Sequence, residues 1–362
     1  MPLSHEHYLA VLEPLDEELF ALGLDTLRKS ASISTSFVDD GFWPPELAAD
    51  VAECDARELL ELHWALERHY AERIRAQVGA PEKEDFFLFI AYARVVGIRM
   101  AYARDMGFTP EELAFVLGAV EAAPNGRLGS PRVIEVGCGA GGLLVALAER
   151  GYQHLRGVDL SPAAIRAARA SLAPYGLAES VECATLDTVL AEGGAGQFDA
   201  VIICDVLEHI PPGRIPGFLR GLHSLLAEHG QLVVVTPNKL SGPHDLTRDF
   251  HPELTEAIGF HLREFTLREA SALLREAGFT DLRAPWRAYA PGYHGAAVTR
   301  EEARTGVGDR ALGFEDVRAV RLSAAAVALK VTLEPLAARL PRRQRDAVID
   351  GLYYKGVTCR RA

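Results

Sequence analysis

Apolar residues are spaced in two ways along this chain, and the change between them divides it. Up to about residue 125 they recur at helical intervals, over Asp50 to Gln77 and Glu84 to Arg104, which predicts packed helices with no strand signal among them. The second stretch is the greasier, with Phe86, Phe87, Phe89, Ile90, Tyr92 and Val96 in its stripe. Pro44-Pro45, Gly79 to Pro81 and Gly107 to Pro110 punctuate the segment. From residue 133 onward the pattern switches to short apolar runs separated by helix-length gaps. Val133 to Val136, a run ending at Asp159, a run from Val181, Gln197 to Ile210, Gly230 to Asn238, and a stretch near Asp281 to Tyr289 read as strands. The run from Gln197 carries a stretch of apolar residues, as in a buried parallel strand, and ends in Asp205-Val-Leu-Glu208-His209. Residues 313–350 return to helical spacing, rich in Ala and Leu with breaks at Pro335 and Pro341. Leu352 to Cys359 then reads as a strand that closes the sheet.

The first of these strands runs into Gly-Cys-Gly-Ala-Gly-Gly over residues 137–142, and the next one ends on Asp159. Glycines at 137, 139 and 141 allow a sharp turn and a close backbone approach to a ligand, because a Cβ would occupy that space. A carboxylate at the end of the second strand can accept both hydroxyls of a ribose. Strand, glycine-rich turn, helix and acid-ended strand in that order predict an adenosine-type cofactor.

The run resembles the class I S-adenosylmethionine-dependent methyltransferases, whose first motif is acid-x-Gly-x-Gly-x-Gly. Here it reads Glu135, Gly137, Gly139 and Gly141. A dinucleotide fingerprint places two residues before its last glycine, so the spacing favours a methyl donor over NAD. The resemblance covers roughly residues 126–290 and implies an α/β fold with a Rossmann-like seven-stranded methyltransferase sheet. It also implies a donor site formed by Glu135, Gly137, Cys138, Gly139, Gly141, Asp159, Leu160 and Asp205, with Thr185, Leu186 and Asp187 lining the adenine pocket.

After the fourth strand come Asp205, Glu208 and His209. If a helical turn begins at Asp205, these i, i+3 and i+4 positions share one face. Here the chain looks like two branches of the family, the quinone-biosynthesis O-methyltransferases and the small-RNA 3′-terminal 2′-O-methyltransferases. Both carry acid-x-x-Glu-His at this place and a further histidine just before a later helix. The match to that histidine is His261, ahead of a helix over Leu267 to Ala277 whose start is marked by Thr266 and Glu269 as a capping box. The first acid is usually glutamate in those branches and is Asp205 here, one methylene shorter. Three roles stay open at this point. Asp205, Glu208, His209 and His261 hold a divalent metal such as Mg²⁺, Mn²⁺ or Zn²⁺, or His209 with Glu208 and His261 moves the proton without a metal, or Glu208 and His209 only order the turn. The polar loop over residues 239–252 adds His244, Asp245, Arg248 and His251 as candidate contacts to substrate or ion.

Composition narrows the partners. Residues 1–130 hold 23 acidic against 11 basic side chains and so carry the whole net charge of −12. An acidic lobe repels phosphate backbones, which argues against extended nucleic acid. The basic cluster from Arg339 to Arg345 reads as a solvated helix face. Five scattered cysteines show neither a metal pair nor a disulfide framework. The start has no export signal, and no apolar run reaches membrane-spanning length, so the expected place is the cytoplasm and no membrane partner is expected.

The expected organisation is a helical lobe over 1–125 serving as lid, substrate pocket or homodimer contact, a methyltransferase core over 126–312, a helical insertion over 313–350, and a last core strand over 351–362. The expected activity is S-adenosylmethionine-dependent O-methylation of a small-molecule substrate, vicinal-diol or catechol-like if a metal takes part. The alternatives are methylation of an RNA 3′ end and a cofactor-binding protein without catalysis.

Overall fold

The computed structural model describes residues 3–27, 42–102, 110–123, 131–285, 322–341 and 356–361. Five helices come first: α1 (His5–Leu22), α2 (Pro45–Glu53), α3 (Ala56–Ala76), α4 (Pro81–Tyr102) and α5 (Pro110–Glu121). Where the spacing alone runs one helix from Asp50 to Gln77, the chain breaks at Cys54 and Asp55. The Asp55 carboxylate accepts from the backbone of Arg57 and Glu58, and Glu58 reaches back to the Asp55 N–H. This capping box restarts the helix, and burial of Leu59, Leu62, Leu66, Tyr70 and Ile74 fixes α3 against its neighbours.

An α/β sheet follows. Its strands are β1 (Val133–Val136), β2 (Leu155–Asp159), β3 (Val181–Cys183), β4 (Phe198–Cys204), β5 (Leu226–Val235), β6 (Phe279–Pro285), β7 (Leu322–Ser323) and β8 (Gly356–Arg361). The order across the sheet is β3-β2-β1-β4-β5-β8-β6-β7. Strands β1 to β5 are parallel, and β8 enters antiparallel between β5 and β6. The last strand therefore closes the seven-stranded arrangement, with the two-residue β7 as an extra pairing on the edge. The continuous apolar runs of β1 and β4 are buried throughout, because helices cover both faces.

The crossovers are α6 (Gly142–Glu149), α7 (Pro162–Leu172), α8 (Leu186–Ala191) and α9 (Ile215–Leu225), with the one-turn α10 (Thr247–Phe250) and then α11 (Leu267–Glu276) after β5. Both halves of the capping box at Thr266 and Glu269 form, so α11 begins where its sequence says. Helix α12 (Ala324–Ala337) carries Pro335 within its last turn instead of breaking there. Residues 286–321 and 342–355 lie outside the described part, as do the segments of the helical insertion, the basic cluster and the final strand that fall in them.

Helices α1 to α4 share an apolar cluster of their own, whereas α5 packs with the sheet. Gln231 of β5 donates from Nε2 to the Ala119 carbonyl of α5 at 3.1 Å, which ties that helix to the core. Phe260, from the chain between β5 and α11, crosses the other way and is buried in the cluster of α1 to α4. It stacks on Tyr92 of α4 at 5.6 Å and 12°. The lobe therefore sits over the carboxyl ends of the strands, where ligands bind in open α/β sheets.

Candidate active site

The strand order reverses between β1 and β4, and a cavity of about 810 Å³ opens at their carboxyl ends. Its walls include Gly137, Asp159, Leu160, Asp205 and His209 from the sheet side, with Asp85, Leu88 and Tyr92 from α4. Asp85 is ion-paired with Arg214, also a wall residue, so lobe and sheet are tied across the cavity.

The glycine turn has the geometry its sequence implies. Gly137 has φ +81°, and a Cβ there would fall inside any real contact distance of a Val206 methyl. Gly141 has φ +80° and starts α6 against Ala168. Asp159 ties this turn to β2, accepting from Gly139 N at 2.9 Å and Ser161 N at 2.8 Å. Glu135 lies beneath the turn, 2% exposed, with Oε2 lacking any partner. Burial, with the Asp159 charge beside it, pushes its carboxyl well above the usual range. Glu135, Cys138, Gly139 and Gly141 form the support of the cavity, whereas Gly137, Asp159, Leu160, Thr185, Leu186 and Asp187 face it. Thr185 has a second duty, since its hydroxyl accepts from Thr188 N and caps α8.

The groups expected after β4 do not gather as a single helical face. Asp205 is left-handed, with φ 50°, and its N–H donates to the Val235 carbonyl at 2.9 Å, which anchors it to β5. A residue in this conformation cannot open an α-helix, so the i, i+3, i+4 geometry fails and a 3₁₀ turn over Leu207–His209 forms instead. The cluster that does form is Glu208, His209 and His261, each offering a ligand atom within 4.8 Å of the others. Asp205 stands outside it as a wall residue of the cavity.

Each member of the cluster is held by its own partner. Glu208 is fully buried; Oε2 accepts from the Thr236 hydroxyl at 2.9 Å, and Oε1 has no partner. His209 Nδ1 donates to the Phe260 carbonyl at 2.9 Å, because a carbonyl can only accept, and this leaves the Nε2 lone pair available. His261 Nδ1 donates to Glu264 Oε1 at 2.7 Å. Glu264 is itself held by His244, whose backbone N–H donates to it at 2.7 Å.

The electrostatics follow from burial. Desolvation, with Asp205 nearby, raises the Glu208 carboxyl to about 8. Desolvation and the charge of His261 push His209 down to about 3, so its imidazole is neutral at ordinary pH. Burial opposes charge on His261 too, but the Glu264 hydrogen bond and the Glu208 charge outweigh it and raise His261 to about 9.

The polar loop after β5 serves this cluster more than the cavity. His244 bonds Ser241 and Glu264, and Asp245 caps Thr247 while accepting from His261 N at 3.4 Å. Arg248 lies within α10, its N–H donating to the Asp245 carbonyl at 3.1 Å. His251 pairs with Glu253 near the surface. Sequence reasoning did not single out the partners Thr236, Phe260 and Glu264. Glu264 alone left a trace there, three residues after a candidate ligand.

A family model described as a methyltransferase domain matches residues 105–284. A ubiquinone biosynthesis O-methyltransferase of Xanthomonas axonopodis pv. citri is 30% identical over 188 residues, 49% of this chain and 74% of that protein. The chain belongs to the class I S-adenosylmethionine-dependent methyltransferases. A Caulobacter ubiquinone biosynthesis O-methyltransferase is 37% identical to this methyltransferase over 139 residues, 36% of this chain. The match spans about half of that relative's length, 53%. A solved S-adenosylmethionine-dependent methyltransferase from Archaeoglobus fulgidus aligns at a TM-score of 0.42 and 17% identity, over 70% of this chain and 94% of that one. Among the described residues of the methyltransferase no helix is long and apolar enough to cross a membrane.

Proposed function

We propose that this methyltransferase transfers a methyl group to an oxygen of a small organic acceptor with two neighbouring oxygens, catechol-like or a vicinal diol, using a divalent cation held by Glu208, His209 and His261. The carrying observation is that three ligand atoms lie within 4.8 Å of one another, each residue fixed by its own partner. Metal-bound histidines normally donate their other ring N–H to a carbonyl or carboxylate. His209 meets a carbonyl in this way and His261 a carboxylate. Two imidazoles with a carboxylate suit Mn²⁺, Zn²⁺ and related ions, and also admit Mg²⁺.

The donor site is read at the glycine turn and Asp159 on the same kind of fit. The turn at Gly137 packs so closely on Val206 that a Cβ does not fit, which holds its backbone at the cavity wall, and Glu135 keeps a buried oxygen without a partner. S-Adenosylmethionine supplies an electrophilic methyl group, and a bound divalent cation lowers the pKa of a substrate hydroxyl. The chain's own part is to hold and orient. Asp159 and Asp187 line the cavity, and His209 lies where the cluster meets it. Tyr92 covers that junction, edge-on to the His209 ring at 5.8 Å and 81°. The Phe260 carbonyl takes the Nδ1 proton of His209 and leaves its Nε2 lone pair for a cation, which supports His209 as a ligand. The helical lobe of α1 to α4 is read as the substrate cover. The cysteines at 54, 138, 183, 204 and 359 form no disulfide, which fits a cytoplasmic location.

The test is calorimetric titration of chelator-treated protein with S-adenosylhomocysteine and, separately, with Mn²⁺ and Mg²⁺. Donor-analogue binding plus stoichiometric cation uptake that is lost in His209→Ala supports the proposal. Donor-analogue binding with no cation uptake by the parent chain would overturn the cation reading.

A further inference from the structure

Among the described residues, three buried carboxylates keep one oxygen without a hydrogen-bond partner: Glu135, Glu208 and Glu67. The first lies beneath the glycine turn and the second in the cation cluster. Glu67 belongs to α3 of the helical lobe, and neither reading uses it. It is 7% exposed. Its Oε1 accepts from His63 Nε2 at 3.1 Å, and His63 Nδ1 is in turn hydrogen-bonded to the Tyr102 hydroxyl. Glu67 is thus anchored through one oxygen and open at the other, the arrangement found at Glu208.

The open oxygen faces the loop that carries His261. A Cβ built on Gly259 would lie 2.8 Å from Glu67 Oε2 and 2.7 Å from Asp245 Oδ2, the oxygen that accepts from His261 N. Charge links the two places as well. Burial raises the Glu67 carboxyl, but His63 and then His261 outweigh it and hold it low. In return Glu67 partly offsets the burial and the His261 charge that lower His209. Taking a carboxylate out of water is costly unless it is compensated. His63 compensates one oxygen only. The cluster has the complementary shortage. Glu208 is the one carboxylate among its three members, and Glu264 behind it is already engaged by His244 and His261. A dication beside Glu208 and two neutral imidazoles would have one negative ligand of its own, with the charge of Glu264 reaching it only through His261.

We propose that Glu67 is the second carboxylate of the cation centre, supplied by the helical lobe, and that it positions and neutralises a divalent cation held by Glu208, His209 and His261. The inference rests on the cation reading above. It makes the lobe part of the centre, with Glu67 acting as a positioning residue through its charge.

The test titrates the full, chelator-treated chain with Mn²⁺ by calorimetry and follows the folding of each variant by circular dichroism. E67Q is expected to weaken Mn²⁺ binding about 10–100-fold, with S-adenosylhomocysteine affinity unchanged. E67D keeps the charge one methylene shorter and is expected to recover most of the Mn²⁺ affinity. A packing role predicts the reverse order, because glutamine is the closer isostere. Parent-like Mn²⁺ binding by E67Q, or binding by E67D no better than by E67Q, overturns the proposal while leaving the cation reading in place. A parent chain that takes up no Mn²⁺ overturns both. Should E67Q not fold, H63F leaves the carboxylate present but unanchored; a severalfold loss of Mn²⁺ affinity supports the proposal and parent-like binding overturns it.

Discussion

The guanidinium of Arg75 donates to the backbone carbonyl of His261 at 3.3 Å, joining two residues 186 positions apart. The same side chain donates to the carbonyls of Ile258 at 2.9 Å and Gly259 at 3.2 Å. One planar fork from α3 therefore fixes the backbone on which a candidate cation ligand is mounted, and the seating of Phe260 in the lobe's core fixes it from the other side. Arg75→Met should loosen this loop while leaving the glycine turn untouched. The expected result is Mn²⁺ binding weakened about 10-fold or more, with S-adenosylhomocysteine binding kept. Lysine at this position should recover little, since an ammonium cannot reproduce the fork. Calorimetry on both variants reads the outcome, and parent-like Mn²⁺ affinity in Arg75→Met would sink the idea.

Gly137→Ala tests the donor site separately. The added methyl meets Val206, and the residue's φ of +81° is one that alanine adopts at a cost of about 1–2 kcal/mol. Val206 is in turn a wall residue beside Asp205. The turn must shift, and S-adenosylhomocysteine affinity should fall at least about 10-fold, which corresponds to about 1.4 kcal/mol. Titration of the variant with the analogue checks this, and unchanged affinity would show that the turn does not approach the donor.

How far the sequence reaches is clearest at these two sites. The glycine turn, Asp159 and the capping box of α11 are local, because residues close in sequence make the geometry themselves, so their positions were legible. Glu208, His209 and His261 were singled out through the pattern shared with a family, and they do come together. What was not legible is what holds them. Nothing in the sequence separates Arg75 and Glu67 from the other polar residues of α3, and Tyr92 reads as part of an apolar stripe. Their places depend on how the lobe docks over the sheet, a long-range event that periodicity does not encode. Asp205 shows the opposite failure, where a helical spacing was read onto a residue whose left-handed backbone starts no helix.

The lobe's own stability has a specific weak point. Arg94 is fully buried and donates to Asp16 Oδ1 at 2.5 Å and to the Phe42 carbonyl at 2.9 Å, with Tyr70 beside it. Removing one member leaves the other charge in a dry core. Asp16→Ala should cost about 3–5 kcal/mol, whereas replacing Asp16 and Arg94 together by leucine and methionine should cost distinctly less. Urea denaturation of the two variants makes the comparison; equal losses would mean that packing, and not the stranded charge, sets the cost.

The last expectation concerns pH and the bond between His261 and Glu264 in cation-free protein. Burial disfavours charge on both, but the hydrogen bonds from His244 and His261 hold Glu264 well below its ordinary 4.5. The bond to Glu264, with Glu208 nearby, lifts His261 from 6.5 to about 9. Below about 4.5 the unfolded chain takes up a proton that folded Glu264 refuses, so its contribution is lost as pH falls. Between 6.5 and about 9 folded His261 keeps a proton that the unfolded chain has released, so that contribution is lost as pH rises. The pair is therefore at full strength from about 4.5 to 6.5. Glu264→Gln should accordingly destabilise the protein most in that window, and the gap to the parent should narrow towards about pH 9. Denaturant unfolding of both proteins in chelator across this range measures the gap, and a gap that stays constant from about pH 5 to about pH 9 would remove the ion pair from the account.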